Sequence, residues 1–485
     1  MGTNEKEFVK EITPRNEDFS QWYLDIVLKS EMMDYAPVKG CMAIRPYGYA
    51  IWENIQQLLD RRIKATGHEN AYFPLFIPES LLQKEAEHVE GFAPEVAWVT
   101  HGGGEKLTER LVVRPTSEAI ICQMYSRWIQ SWRDLPLLIN QWCNVVRWEK
   151  NTRPFLRTSE FLWQEGHTVH CTEVEAEEEA LKMLGVYKEF AETELAIPVI
   201  SGLKSEREKF AGAMRTYTIE ALMADGRALQ AGTSHNLGQH FAKVFDIQFL
   251  DKDDELKYPW QTSWGVSTRL IGALIMVHGD DRGLKLPPRV APLQIVVVPI
   301  FTKKGREEVL QKAKEITALL GENFRVKLDE REGYSPGWKF NEWEMKGVPL
   351  RLEIGPKDLQ NDGVTAVRRE TGEKSFIPEK VLAERIPELL EEIQGELLRQ
   401  AQQFREEKTH LVSDYTEFKR ILEEERGFLL THWCGDPSCE ENIKEETKST
   451  IRCLPFEVSG KISKTGPCVR CGKEEGAPVY FARAY

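Results

Sequence analysis

The 485-residue sequence has no long hydrophobic run, and its most apolar stretch is the short LQIVVVPI. That is well under the roughly 20 residues a membrane-spanning helix needs. The first residues, MGTNEKEFVKEITPRNEDF, lack the apolar core of a signal peptide, and Lys6 stands where a myristoylation motif wants Ser or Thr. The expectation is therefore a cytoplasmic chain with no membrane. The sequence also lacks positive charge overall. A formal net charge of -13 excludes a protein that coats DNA by broad phosphate neutralisation, but not one that holds a nucleic acid at local basic sites. There is no internal repeat, no long low-complexity segment and no GxxxxGK[ST] loop, so the P-loop solution to nucleotide binding is excluded. Cysteine is scarce over most of the length. Cys41, Cys122, Cys143 and Cys171 stand singly, as small core residues do in a reducing compartment, and disulfides are not expected.

What is present is a soluble globular composition, 41% hydrophobic and 29% charged, in a chain long enough for about three domains. Up to about Pro287-Pro288 amphipathic helices such as GYAIWENIQQLLDRRIKATG mix with short alternating strands. From LQIVVVPI onward strands alternate with helices and end in a hairpin around Thr371-Gly372, which predicts a compact α/β domain with a mostly parallel sheet. The charged helical stretch LAERIPELLEEIQGELLRQAQQFREEK follows as a connector, and a cysteine-rich tail closes the chain. These changes of character divide it at 1–290, 291–400 and 401–485, an α/β multidomain (α+β) architecture. In TEVEAEEEALKML, Thr172 and Glu175 form a capping box, so this acidic run reads as a solvated helix start.

In the segment VVRWEKNTRPFLRTSEFLWQEGH, from Val145 to His167, the first thirteen residues pack Arg147, Lys150, Arg153 and Arg157 around a single acid, Glu149. Four segments carry polar pairs two residues apart: Thr116 and Glu118, Arg147 and Glu149, Thr233 and His235, Ser267 and Arg269. Residues two apart on a strand face the same way, so neighbouring strands would lay down a polar floor, which is costly unless a ligand or water satisfies it. Arg147 and Arg269 lie among aromatic and apolar residues, where a guanidinium needs an anionic partner such as phosphate or carboxylate. The bland alternative is that each pair is the solvent face of a sheet.

VVRWE with its loop and FLRTSEFLWQEGH resembles motif 2 of class II aminoacyl-tRNA synthetases. TSWGVSTRLIGALIMVHGDDRGLKLPP resembles motif 3, and GYAIWENIQQLLDRRIKATGHENAYFPLFIP the dimer-forming motif 1. With RPTSE and QAGTSHNLGQ added, the set resembles the prolyl-tRNA synthetase family of the archaeal and eukaryotic type, from about Phe19 to Tyr485. The resemblance implies an antiparallel class II catalytic sheet flanked by helices over 1–290, an α/β anticodon-binding domain over 291–400 and a small C-terminal zinc-binding α+β domain over 401–485. It also implies ATP as substrate with Mg²⁺, tRNA(Pro) and L-proline as partners, and a homodimer.

Carried over by position, the resemblance implies that Thr116 and Glu118 bind proline, the glutamate receiving its ammonium, with His235 as a pocket wall. Arg147 would hold the α-phosphate, while Glu149 either holds the adenine end or orients Arg147. Phe155 would stack on adenine, and Gln230, Thr233 and Ser267 would contact ATP. Arg269 would hold the γ-phosphate. Such chemistry runs on positioning and charge neutralisation, which fits the absence of a Ser/His/Asp or Cys/His triad from the motifs. Only 96 residues separate His167 from Trp264, too few for the editing insertion of bacterial relatives. Alanine or cysteine misactivation is therefore expected.

Glu342, Lys346, Arg351, Glu353 and Lys357 fall in the segment that resembles the anticodon-recognition face; the alternative is that several are plain surface charges. CGDPSC and CVRC offer Cys434, Cys439, Cys468 and Cys471 as a tetrahedral thiolate set for structural Zn²⁺, with Cys453 or His432 as substitute ligands. The final VYFARAY resembles a family terminus whose tyrosine folds back toward the catalytic domain. Two other readings compete: a class II synthetase for threonine or serine, and a synthetase-like binding protein that has lost catalysis. RPTSE and QAGTSH, and the absence of a zinc-ligand set in the catalytic half, count against the first. Retention of both motif arginines and the anticodon domain counts against the second.

Overall fold

In the computed structural model, residues 12–86, 95–301, 305–458, 460 and 462–485 are described. The reading of residues 1–11 as free of a signal or lipidation motif falls outside them. Among the described residues no helix is long and apolar enough to cross a membrane.

The N-terminal part is built on strands β1 (Glu69–Asn70), β2 (Leu137–Val146), β3 (Glu160–His170), β4 (Val199–Leu203), β5 (Arg215–Leu222), β6 (Ala228–Gly238) and β7 (Trp260–Ser267). Their helices are α1 (Phe19–Lys29), α2 (Pro46–Ala65), α3 (Glu118–Trp128), α4 (Glu173–Thr193) and α5 (Arg269–His278). α2 is the helix resembling motif 1. Pro46 opens it at a position whose missing N–H costs nothing, and Ile51, Ile55, Leu59 and Ile63 recur every fourth residue as its buried stripe. α4 opens with the expected capping box: the Glu175 N–H donates to Thr172 Oγ1 at 3.2 Å and the Thr172 N–H to Glu175 Oε2 at 3.1 Å. The apolar face of the sheet and helices α1, α2, α4 and α5 share one core, around Trp22, Ile55, Tyr187, Trp264 and Leu274.

Next come β8 (Ile295–Pro299), β9 (Val326–Leu328), β10 (Leu350–Ile354), β11 (Gly363–Arg368) and β12 (Lys374–Pro378), with α6 (Arg306–Gly321) and α7 (Pro336–Met345). The order is β9-β8-β10-β11-β12; β8 runs parallel to both neighbours, and the last three strands are antiparallel. All five β8 residues are buried, as expected of a strand covered on both faces.

The connector is α8 (Leu382–Glu407), with Pro387 near its start. It runs unbroken through residue 400, where a domain limit was expected. Beyond it lie β13 (Thr409–Leu411), α9 (Tyr415–Glu424), β14 (Phe428–Trp433), α10 (Pro437–Thr447), β15 (Thr450–Pro455) and β16 (Ala477–Ala482). These strands do not form a separate sheet. β15 pairs with β4, so one 11-stranded sheet runs β13-β14-β16-β15-β4-β5-β6-β7-β3-β2-β1. Gly202 permits the junction, since a Cβ there would lie 2.3 Å from the Leu454 carbonyl oxygen.

Candidate active site

Cross-strand pairing determines which side chains share the open face of the sheet. Thr216 pairs with His235, Thr218 with Thr233, and Glu220 with Gln230. His235 faces Ser263 and Thr233 faces Gly265 on β7, which in turn meet His167 and Glu165 on β3. Directly opposed residues lie on the same side, so these form the polar floor anticipated from the sequence. Gln230 and Thr233 are three apart and should point to opposite faces. A bulge at Ala231, opposite the Ile219/Glu220 step, restores Gln230 to the same face.

Thr116, Glu118, Arg147, Gln230, Thr233, His235, Ser267 and Arg269 line one cleft over this floor. Only Thr233, His235, Gln230 and Ser267 come from strands. Thr116 precedes α3 and Glu118 opens it, Arg147 follows the last residue of β2, and Arg269 opens α5.

Arg147 and Arg269 are both held by backbone. Arg147 Nε donates to the Pro115 carbonyl at 3.0 Å, and its guanidinium lies 5.5 Å from each of the Phe161 and Trp163 ring centroids. Arg269 Nε donates to the Leu156 carbonyl at 3.2 Å. Among the described residues neither forms a salt bridge. Burial pushes the Arg269 pKa down to about 10, with Arg147 and Arg157 adding to the effect. Two half-buried cations with no carboxylate in ion-pair contact among the described residues make a site that an oligoanion would satisfy.

The other end of the cleft is acidic. Thr116 Oγ1 donates to Glu118 Oε2. Glu165 Oε1 accepts from Ser117 Oγ at 2.5 Å and Gln141 Nε2 at 2.8 Å, while Glu165 Oε2 lies 3.0 Å from His167 Nε2. Burial alone would neutralise this pair. The His167 and hydroxyl contacts nevertheless hold the Glu165 carboxyl below its usual range, and Glu165 raises the His167 pKa. His235 is different: burial, with His167 nearby, pushes its pKa down to about 3. It is therefore a neutral wall, packed 4.8 Å from the Phe210 ring with Nδ1 2.9 Å from Thr216 Oγ1.

Two expected ATP contacts lie outside the cleft lining. Phe155 is at the apex of a turn closed by Arg153 N–H to Arg157 O (2.6 Å) and Arg157 N–H to Arg153 O (2.9 Å). The turn forces its φ to 55°, and its ring is buried in the helix-side core at 3% exposure, away from the lining. Phe161, Trp163, Phe210 and Trp264 are the aromatics that line the cleft, and of these Phe161 and Trp163 lie beside the Arg147 guanidinium. Glu149 pairs instead with Arg157, 3.1 Å from its Nε. Sequence reasoning assigned no role to Phe161, Trp163, Glu165 and His167. Their signal was the period of two in FLWQEGH, which puts all four on one face of β3.

The segment resembling the anticodon-recognition face is not a row of free charges. Arg351 and Glu353 are buried and paired at 3.0 Å, with Glu344 a further 2.9 Å partner of Arg351. Alternating strand positions in β10 turn both inward, so neither is a plain surface charge. Lys346 Nζ donates to Glu31 at 2.6 Å, docking the end of α7 against the N-terminal part. Glu342 is bonded to Arg331, and Lys357 is exposed.

In the tail, the Sγ atoms of Cys434, Cys439, Cys468 and Cys471 lie within 4.8 Å of one another, with 3.8 Å between Cys439 and Cys468 and 3.6 Å between Cys434 and Cys471. Tetrahedral Zn–S bonds of about 2.3 Å require S···S separations of about 3.8 Å, so the cluster fits zinc. Cys453 is excluded as a substitute ligand because it is buried in β15 opposite Tyr480, and His432 Nε2 is occupied at 3.0 Å by the Ser463 carbonyl.

An antiparallel sheet backed by helices, bearing unpaired arginines where motifs 2 and 3 were read, defines a class II aminoacyl-tRNA synthetase core. Family models agree: residues 98–278 match the tRNA synthetase class II core domain (G, H, P, S and T), 294–392 the anticodon binding domain, and 415–485 the prolyl-tRNA synthetase C-terminal domain. The chain is 67% identical to a proline–tRNA ligase of Natranaerobius thermophilus, 61% to one of Alkaliphilus oremlandii and 59% to proline–tRNA ligase 2 of Clostridioides difficile, each over the full length of both chains. The chain belongs to the proline–tRNA ligase family.

Proposed function

We propose that the chain activates L-proline with ATP and transfers it to the 3′ end of tRNA(Pro). The observation that carries this reading is the pairing, in one cleft, of two arginines lacking carboxylate partners with a carboxylate-lined end walled by neutral His235 and Phe210. Glu118 receives the secondary ammonium of proline, with Glu165 behind it, and the ring lies against Phe210 and His235. Arg147 draws the proline carboxylate and the α-phosphate together. A carboxylate oxygen attacks the α-phosphorus in line, the bond to the bridging oxygen breaks, and pyrophosphate leaves with charge held by Arg269. The terminal ribose hydroxyl of the tRNA then attacks the acyl carbon and AMP departs. Phe161, with Arg147 over its ring, supplies the aromatic surface for adenine in place of Phe155.

Magnesium accompanies ATP as its counterion. Among the described residues the four cysteines are the one metal-ligand cluster, so no protein ligand is assigned to Mg²⁺ and no step runs through it. Zinc in the thiolate cluster has a structural role, tying α10 to the turn at Cys468–Cys471. The anticodon is read by the β8–β12 domain, with exposed Lys357 the cation best placed to meet tRNA. The division into catalytic, anticodon-binding and zinc-binding parts is retained, with the last limit moved past Glu407. A homodimer through the motif 1 region accords with the exposed Tyr72 and Phe76 that follow α2.

Charging of a tRNA(Pro) transcript with labelled proline tests the reading. Proline transfer that disappears in Arg147→Ala supports it. Charging that survives this change, or another amino acid charged in preference, refutes it.

A further inference from the structure

The open face of the sheet does not end with the N-terminal part. At its far edge Glu220 is fully buried and binds residues from two parts of the chain. Lys204 Nζ donates to Glu220 Oε1 at 2.8 Å, as does Thr218 Oγ1. Arg452 of β15 donates to Glu220 Oε2 through Nε at 2.9 Å and Nη2 at 2.8 Å, and its carbonyl accepts from Lys204 at 2.8 Å. Among the described residues the cluster holds two cations and one anion, all buried, leaving one positive charge uncompensated. Glu220 is the cross-strand partner of Gln230, which lines the cleft, on the same face of the sheet.

We propose that Arg452, brought in by the C-terminal zinc-bearing part, is a positioning residue for ATP. It locks Glu220 beneath Gln230 and, with Lys204, leaves the floor one positive charge in excess to meet the polyphosphate. The inference rests on the reading of Gln230 and Arg269 as ATP contacts. Arg269 registers both groups with opposite sign: Glu220 favours its charge and Arg452 opposes it, behind the larger effects of burial, Arg147 and Arg157. An activation site on one part of the chain is thereby completed by a side chain 183 residues beyond Arg269.

A merely structural clamp and an electrostatic one predict different results for two substitutions. In proline-dependent ATP–pyrophosphate exchange, Arg452→Met neutralises the floor and should raise the KM for ATP about three- to tenfold, with the KM for proline within about twofold. Glu220→Gln removes the anion and should lower the KM for ATP or leave it unchanged. Arg452→Lys should stay near the parent. Thermal melting and zinc content establish that each variant is folded. If both neutralising changes raise both KM values together, or if folded Arg452→Met keeps the parental KM for ATP, the inference is overturned. Should Arg452→Met not fold, a Glu220→Gln enzyme with a raised KM for ATP overturns it equally. A parent chain without proline-dependent exchange would instead sink the underlying reading of the cleft.

Discussion

The hydroxyl of Tyr485, the last residue, donates to Asp225 Oδ2 at 2.7 Å across 260 residues of sequence. Its ring also lies 5.3 Å from the guanidinium of Arg153, in the loop that follows Arg147. The terminus thus packs against the turn that buries Phe155 and positions Leu156, whose carbonyl holds Arg269. Deleting Tyr485 should slow adenylate formation about ten- to hundredfold with little loss of folded stability, since a small misplacement of a reacting geometry costs that much. Pyrophosphate exchange beside a thermal melt checks this. Unchanged exchange would show the contact to be ornamental.

Arg147 and Arg269 act on charge that develops at phosphorus, so Arg269→Ala should cut exchange by about a hundredfold or more. Arg147→Lys should not rescue Arg147→Ala, because the planar fork is what spans two anionic groups. A lysine variant with near-parental kcat would refute the fork geometry.

Glu118→Gln should raise the KM for proline about tenfold or more, the scale of a hydrogen bond to a charged group. The KM for ATP should hardly change. Phe155→Leu should leave the KM for ATP near the parent, whereas Phe161→Leu should raise it. The reverse order would restore Phe155 to the adenine site.

Stability should fall with acid. Burial holds His170 down to about 4, His278 to about 4 and His235 to about 3, below the ordinary imidazole value. Between about pH 6.5 and 4 the unfolded chain binds protons that these sites refuse, so the melting temperature should drop across that window. Glu165, held low, contributes stability above the ordinary carboxyl range that is lost as pH falls through its folded value. His167, held high, contributes fully below about pH 6.5 and loses its share as pH rises through its raised value. His278→Gln should make the acid slope shallower, as melting curves at half-unit pH steps would reveal.

Zinc should be present at about one equivalent per chain in protein purified without chelator. Cys468→Ser should lower it and destabilise the β14–α10 region. Less than a tenth of an equivalent in the parent would remove zinc from the account.

The sequence was most informative where chemistry demands a particular residue at a particular spacing. Cys434, Cys439, Cys468 and Cys471 were legible because thiolate pairs at short spacing have few other uses. The arginines of VVRWE and GVSTR were legible because a guanidinium among aromatics needs an anion. Phe155 was assigned to adenine and Phe161 was not, since both belong to the same cationic segment and only the turn at Arg153–Arg157 shows which ring is buried in the core. Arg351 and Glu353 were read as anticodon-face residues or plain surface charges because charge says nothing of which face of a strand is covered. The continuous sheet was illegible for a different reason. The β15–β4 pairing joins residues some 250 positions apart, and local periodicity carries no information about such partners.

The central claim, proline activation in this cleft, is tested most directly by ATP–pyrophosphate exchange run with each of the twenty amino acids and no tRNA. Exchange strongest with proline, weaker with alanine and cysteine, and abolished in Arg147→Ala is the predicted result. No exchange with any amino acid, or exchange led by threonine or serine, would contradict it.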